Sequence, residues 1–506
     1  MTSRSLRLGL AGAGLFVAAL DAYLVVTLLP AMIGDVGLTI DRFEQATPIV
    51  TGFLCGYVVA MPLLGAYSDV RGRAPVYAAC MLVFAAGSAV TATAGLSTLP
   101  GLPWLVAGRV LQGLGGGGLV PLSLALAADL YRNEGRTFAL GSVSALQEAG
   151  SVFGPLYGAT LASAASALGG WRFVFWLNLP LAALCAGGLL IASRERGAPS
   201  TPHASNIDWR SASLLGVGLG LLVVALYPDD PANRATSGLF IPLGAASLAV
   251  LALYGWRQVR SLEPLIPRKL LRDRRFIGVG VANLLIGAAL MVALVDVPIL
   301  GRLVFNLDQL ASGLLLTQFL LGVPVGAVLG GFLAGRVGGR LTAGLGMLCS
   351  AAAFVQMSGW QAGELALRLG PIRPADIALG ACGLGFGIVI APLTAAVLEL
   401  TRAENHGLAS SLVVLARVMG MLIGLSALTA FGLFRFRQLL GTPVLTDPDL
   451  GARVNHLARL VSAAFLQEYR EIFTIAAALC LLAAMVIVVT MGPPSRETPR
   501  EGLRQS

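Results

Sequence analysis

The sequence predicts an all-α integral membrane protein built as two six-helix halves plus two inserted helices, fourteen transmembrane helices in all. Three observations lead there. Charged residues make up 12% of the 506 residues, about half the share usual in a soluble domain. Hydrophobic residues make up 56% and the mean hydropathy is +0.80, more apolar surface than a soluble core of this size can bury. Apolar runs of the roughly 20 residues needed to cross a bilayer recur along nearly the whole chain.

Read in order, the apolar windows place spans near 8–30, 47–67, 75–97, 103–128, 138–163, 173–193 and 211–228. The second seven fall near 237–256, 277–304, 310–334, 341–359, 376–399, 408–432 and 472–491. The first run follows Arg4 and Arg7, but it carries Asp21 at its centre and is too long for a signal peptide. An even number of spans puts both termini on one side. With that side cytoplasmic, inner loops carry roughly 22 Lys/Arg and outer loops roughly 11, in keeping with the positive-inside rule. The net charge of +9 therefore sets topology in a bacterial inner (cell) membrane and does not point to nucleic acid. The densest basic run is Arg268, Lys269, Arg272, Arg274 and Arg275, just before span 9. Six tryptophans (Trp104, Trp171, Trp176, Trp209, Trp256 and Trp360) sit near predicted span ends, as an aromatic belt requires.

The chain also repeats itself. GAYSDVRGR after span 2 contains Gly65, Asp69, Gly72 and Arg73. GFLAGRVGGR after span 10 sets Gly331, Gly335, Gly338 and Arg340 on the same frame, with Gly335 where the acid would stand. Gly150-x3-Gly154 in span 5 is matched by Gly420-x3-Gly424 in span 13. The halves are thus 1–196 and 263–506, with a linker and two extra helices over 197–262. Parallel halves of this kind are a transporter architecture that holds substrate near the midplane between them.

These motifs resemble the major facilitator superfamily. Gly65–Arg73 resembles its cytoplasmic-loop motif, and Arg109-Val110-Leu111-Gln112-Gly113 its span-4 motif. Gly141, Gly150, Gly154, Pro155 and Gly158 follow the spacing of its antiporter motif, with Ala159 in place of the final glycine. WRFVFWLNLP (171–180), IDWRS (207–211) and EPLIPRKLLRDRRF (263–276) resemble marks of the 14-span drug:proton antiporter branch. Within that branch, ALDAYLVVT, LQEAGSVFGPLYG, ALMVALVDV and ARVMGMLIGLSAL look most like the triacylglyceride exporters of mycobacteria.

The resemblance implies a proton-driven secondary transporter rather than an enzyme, working as a monomer without a cofactor. It implies a lipid or lipophilic substrate and a periplasmic lipid-binding lipoprotein as partner. It also implies roles for residues. Gly65, Asp69, Gly72 and Arg73 would latch the halves, with Asp69 pairing an arginine or a helix N-terminus. The alternative is a short hairpin whose charges only set topology. The span-5 glycines would let helices pack closely, and Pro155 would bend span 5.

Charges at membrane depth cost roughly 2.5–3.5 kcal/mol each on insertion scales, so each calls for a reason. There are five: Asp21, Arg109, Glu148, Asp296 and Arg417. The repeat sets Glu148 and Arg417 at nearly equivalent depths on equivalent helices of opposite halves, which suggests a pair across the cavity that protonation of Glu148 releases. A static pair that only fixes packing is the competing reading. Asp21 is the second proton-coupling candidate, against a hydrogen-bonded structural acid. Arg109 either relays protons, as its motif implies, or snorkels outward. Asp296, just before Pro298, lies nearer the outer surface, within reach of water. Gln112, Gln147 and Gln318 either line the cavity or bridge helices.

Several chemistries are excluded. The six cysteines all fall in predicted spans with no CxxC, which argues against a disulfide or metal framework. His203, His406 and His456 all fall in predicted loops, outside the membrane interior. The glycine cluster Gly113–Gly118 lacks the Lys-Ser of a nucleotide loop, so ATP is not the fuel. The outer loop 433–471 holds Val454, Leu457, Val461 and Phe465 at helical spacing, read either as an amphipathic surface helix or as an extension of span 14. Three functions compete: a lipid exporter, a multidrug antiporter offering unpaired cavity acids to cations, and a sensor or assembly factor without turnover.

Overall fold

The computed structural model describes residues 3–35, 47–96, 101–131, 135–165, 169–194, 208–227, 236–261, 264–307, 309–361, 363–366, 373–402, 405–440 and 450–491. Among them there are helices and turns and no strand. Seventeen α-helices follow in chain order. The first six are α1 Ser3–Asp35, α2 Thr47–Arg71, α3 Arg73–Ala92, α4 Leu102–Leu130, α5 Arg136–Ala164 and α6 Trp171–Arg194. The inserted pair is α7 Trp209–Leu226 and α8 Phe240–Arg260. Next come α9 Arg268–Arg272, α10 Arg274–Met291, α11 Val297–Leu303, α12 Gln309–Leu315 and α13 Thr317–Val337. The last four are α14 Gly339–Ser358, α15 Pro374–Glu399, α16 His406–Leu440 and α17 Leu450–Thr490.

Thirteen stretches among the described residues are long and apolar enough to cross a bilayer. The helix α5 has 29 residues but is not one of them, because glycine, serine and Glu148 dilute its apolar content. Expected span 9 is a composite, in which one turn of π-helix, Val292–Asp296, joins α10 to α11. Expected span 10 splits at Leu316 into α12 and α13.

Glycines set how closely the helices approach. A Cβ at Gly150 would lie 2.6 Å from the Phe16 carbonyl oxygen, and one at Gly154 would lie 2.7 Å from that of Leu20. These two residues seat α5 on α1. In the other half Gly420 and Gly424 seat α16 on α10 in the same way, against Leu284 and Ala288. Gly141 instead faces the opposite half: a Cβ there would lie 2.5 Å from the Ala327 oxygen of α13. Gly158 is buried, and the side chain of Pro155 lies outside the described residues. Small residues at such crossings are how helices associate in lipid, where no hydrophobic force drives them together.

The repeat is visible in the backbone as well. Gly72 ends α2 with φ +92 and ψ 150, and Gly338 ends α13 with φ +89 and ψ 147. Both take a positive φ that side-chain-bearing residues rarely adopt, so both motif glycines make the same sharp turn into the next helix. The inserted α7 packs on α2 through Gly216 and Gly220, and α8 packs on α7, with Ser247 donating to the Gly218 carbonyl at 2.7 Å. The outer side of α8 faces away from the protein, with Ile241 80% and Leu248 70% exposed.

Two expectations are corrected. The segment 433–471 is not an extended loop, since α16 runs to Leu440 and α17 begins at Leu450. From Leu450 the chain continues as one 41-residue helix into the last span, the extension rather than a separate surface helix. His406 and His456 are not in loops: His406 opens α16 and is buried, and His456 lies within α17. His203 lies outside the described residues.

Candidate functional site

Two of the five charges at membrane depth are fully buried and meet inside the first half. Arg109 of α4 places a terminal nitrogen 2.8 Å from Asp21 Oδ2 of α1, with both side chains 1% exposed or less. Gln112, one helical turn past Arg109, donates to the same carboxylate oxygen at 2.9 Å and accepts from Arg109 at 3.0 Å. Asn178 of α6 donates to Asp21 Oδ1 at 2.6 Å, and both amides reach Ser88 of α3. The guanidinium also lies over the Phe53 ring of α2, 4.4 Å from its centroid. Glycine makes this convergence of five helices feasible, since a Cβ at Gly108 would lie 2.6 Å from the Thr91 nitrogen of α3. Arg109 does not snorkel. Gln112 bridges helices. Ser88 and Asn178 complete the network; their signal in the sequence is no more than an isolated polar residue in an apolar run.

A second group closes one end of the helix bundle. Asp69, at the end of α2, accepts from the Gly407 amide at 2.9 Å and the Leu408 amide at 3.0 Å. These are unpaired donors of the first turn of α16, where an anion is favoured by both the free N–H groups and the helix dipole. Asp69 is also ion-paired with Arg73, so it has both of the partners expected of it. Arg73 reaches on to Asp129 of α4 at 3.2 Å, and Asp129 meets His406 Nδ1 at 3.0 Å. Beneath them the backbones of Gly65 and Gly407 abut: a Cβ at Gly65 would lie 2.6 Å from the Gly407 oxygen. Ser410 of α16 adds a 3.0 Å bond to the Pro121 carbonyl of α4. In the repeat, Gly331 of α13 is pressed against Thr137 of α5, while Gly335 brings no charge. Asp129 and His406 carry no motif spacing, so folding alone reveals them.

The third group joins the halves deeper in the bundle. Arg417 of α16 lies 3.5 Å from Glu148 of α5, with the side chains 11% and 19% exposed. Glu148 is 12 residues beyond Arg136, about 18 Å along the helix at 1.5 Å per residue, which is near mid-depth of a ~30 Å hydrocarbon core. The Tyr23 and Tyr57 hydroxyls lie within electrostatic range of both charges. At 3.5 Å the contact is an ion pair without short hydrogen bonds, looser than the Asp21 network.

Asp296 stands apart from these groups. It ends the π turn, half-buried, within electrostatic range of Glu468 of α17. Glu468 Oε2 is buried without a hydrogen-bond partner among the described residues. No group of three or more metal-ligating side chains occurs among the described residues, and the six cysteines are free thiols.

Comparison with known proteins places this architecture. The Major Facilitator Superfamily profile matches residues 11–425. This chain belongs to that superfamily. It is 38% identical over 506 residues to the triacylglyceride transporter of Mycolicibacterium smegmatis, covering 97% of this chain and 88% of that protein. It is 39% identical over 459 residues to the triacylglyceride transporter of Mycobacteroides abscessus, covering 90% and 87%. The triacylglyceride transporter of Mycobacterium tuberculosis is 38% identical over 488 residues, covering 94% and 92%. Among solved structures, the human organic anion transporter TETRAN superposes with a TM-score of 0.60 at 18% identity, covering 96% of this chain and 100% of that one. A proton:xylose symporter gives a TM-score of 0.60 at 14% identity, covering 96% and 95%. Both share the superfamily fold. The chain is accordingly a membrane transporter of this superfamily and not an enzyme.

Proposed function

We propose that this major facilitator protein exports triacylglyceride, or an apolar lipid like it, from the inner membrane of a bacterium, driven by the proton gradient. The substrate rests on similarity over nearly the full length to triacylglyceride transporters. The coupling rests on one observation, the Glu148–Arg417 pair that joins the halves near mid-depth. Burial disfavours the charged form of a carboxylate there and the arginine favours it, so a change in exposure shifts its proton affinity. Protonation removes the attraction between α5 and α16 and lets the halves part. Asp21 and Arg109 would serve as a fixed internal relay, with Asp296 as an outer proton acceptor.

In this reading both termini are cytoplasmic, and α5 is a fourteenth span completing a first half over 1–196. Two inserted helices (197–262) and a second half (263–506) follow. The Asp69 group then seals the cytoplasmic side, the chain acts as a monomer without a cofactor, and the released lipid passes to a periplasmic lipid-binding lipoprotein. Asp69→Asn removes the anion from the α16 N-terminus and the partner of Arg73, a loss of about 1–2 kcal/mol. The expected outcome is a 5- to 30-fold shift toward a cytoplasm-open state, read as lengthened spin-label distances between the ends of α2 and α16. Unchanged distances would dismiss the latch.

A second reading, a multidrug antiporter, is favoured by Glu468 Oε2, buried without a hydrogen-bond partner among the described residues and within electrostatic range of Asp296, a place where a cation would be welcome. Lipidomics of inner and outer envelope fractions, with and without the gene, separates the two. Triacylglyceride held back in the inner membrane of the deletion strain supports lipid export. An unchanged lipid profile with new sensitivity to cationic dyes supports the antiporter instead.

A further inference from the structure

The inserted helices α7 and α8 carry a feature that the proposed transport scheme leaves unused. Between them runs an open groove of about 460 Å³ on the lipid-facing side of the protein. Its length is apolar, walled by Leu214 and Val217 of α7 and by Val250 and Leu253 of α8. One end is charged, with Arg210 and Arg257 on opposite walls. Seven residues separate Arg210 from Val217 and Arg257 from Val250, so the apolar stretch extends about 10 Å inward from the two arginines.

The charges at that end are unbalanced. Among the described residues Asp208 is the one acid paired there: it caps α7 by accepting from the Ser211 amide at 3.1 Å and lies 3.4 Å from a terminal nitrogen of Arg257. The Nε of Arg257 is buried and has no hydrogen-bond partner among the described residues. Arg260 follows one turn later, stacked 4.6 Å over the Trp256 ring, and Arg268 of α9 donates to the Ser261 carbonyl at 2.9 Å. A tryptophan and several arginines at the end of a lipid-exposed helix mark the depth of the headgroups. Basic pockets between membrane helices at that depth recognise acidic lipid headgroups, and arginine suits phosphate because its fork can bind two oxygens at once.

We propose that the α7–α8 groove is a binding site for an anionic phospholipid, its phosphate held by Arg210 and Arg257 and one acyl chain laid along Leu214, Val217, Val250 and Leu253. The bound lipid is a structural or regulatory ligand of the inserted helices, separate from the transported lipid. The leaflet it comes from rests on the orientation proposed above; its binding does not.

Native mass spectrometry of the detergent-purified full chain, titrated with phosphatidylglycerol or phosphatidylcholine, tests this. The wild type should take up one phosphatidylglycerol at least tenfold more tightly than phosphatidylcholine. The Arg210→Gln/Arg257→Gln variant should lose that preference while retaining weak uptake of both lipids. Leu253→Trp, which keeps the arginines and fills the half-exposed groove, should weaken both lipids and guards against misfolding of the double variant. Wild-type preference persisting in both variants overturns the proposal. So does complete displacement of phosphatidylglycerol by inorganic phosphate at millimolar concentration, which would make the groove an anion site rather than a lipid site.

Discussion

Arg109→Ala is expected to destabilise the protein by about 3–5 kcal/mol, the largest effect of any single substitution considered, because it strands a fully buried carboxylate. Asp21 would keep the Asn178 and Gln112 amides, but these neutral donors cannot offset its charge in a site closed to water. Asp21→Asn should cost a comparable amount by stranding Arg109. The double variant Asp21→Asn/Arg109→Gln should be markedly milder than either single, since no net charge remains to be desolvated. Thermal unfolding in detergent checks this. Equal loss in the single and double variants would mean that the pair contributes packing and not charge compensation.

Glu148→Gln is expected to leave the fold intact and abolish gradient-driven transport. The pair it breaks is longer and more exposed than Asp21–Arg109, so its contribution to stability is the smaller of the two. Its contribution to coupling is large. One proton crossing 100 mV is worth about 2.3 kcal/mol, roughly a 50-fold steady-state ratio of substrate across the membrane. A protein that cannot bind that proton forfeits the ratio while retaining passive exchange. Arg417→Gln should also uncouple, because it removes the partner that Glu148 exchanges for a proton. Transport ratios measured with labelled triacylglyceride check both variants, and a ratio unaltered in Glu148→Gln removes this residue from the coupling scheme.

Much of this was legible in the chain because lipid imposes simple rules. Apolar run length gives the spans, and the repeated glycine frame gives the equivalence that Gly72 and Gly338 realise as identical turns. The meeting of Glu148 with Arg417 followed from the same repeat, which put them at matching depths. What escaped was whatever depends on rotation about a helix axis or on contacts between distant helices. Asn178 and Ser88 are single polar residues whose direction no window reveals, and Asp129 meets His406 across 277 positions of sequence. The sequence places His406 and the segment 433–471 in loops because polar residues interrupt the apolar pattern there. A helix that continues beyond the hydrocarbon has no need of that pattern, and α16 and α17 do continue. The weak apolarity of α5 has a different cause: where it packs on α1 and α13, Gly150, Gly154 and Gly141 take the place of bulky apolar side chains.

Flux in proteoliposomes tests the central claim most directly. The purified chain is reconstituted with labelled triacylglyceride, and transfer to an external lipid acceptor is followed with and without an imposed proton gradient. Proton-coupled export predicts transfer that rises with the gradient, collapses when an ionophore dissipates it, and is gradient-insensitive in Glu148→Gln. Wild-type transfer at one rate, gradient or none, would contradict the account.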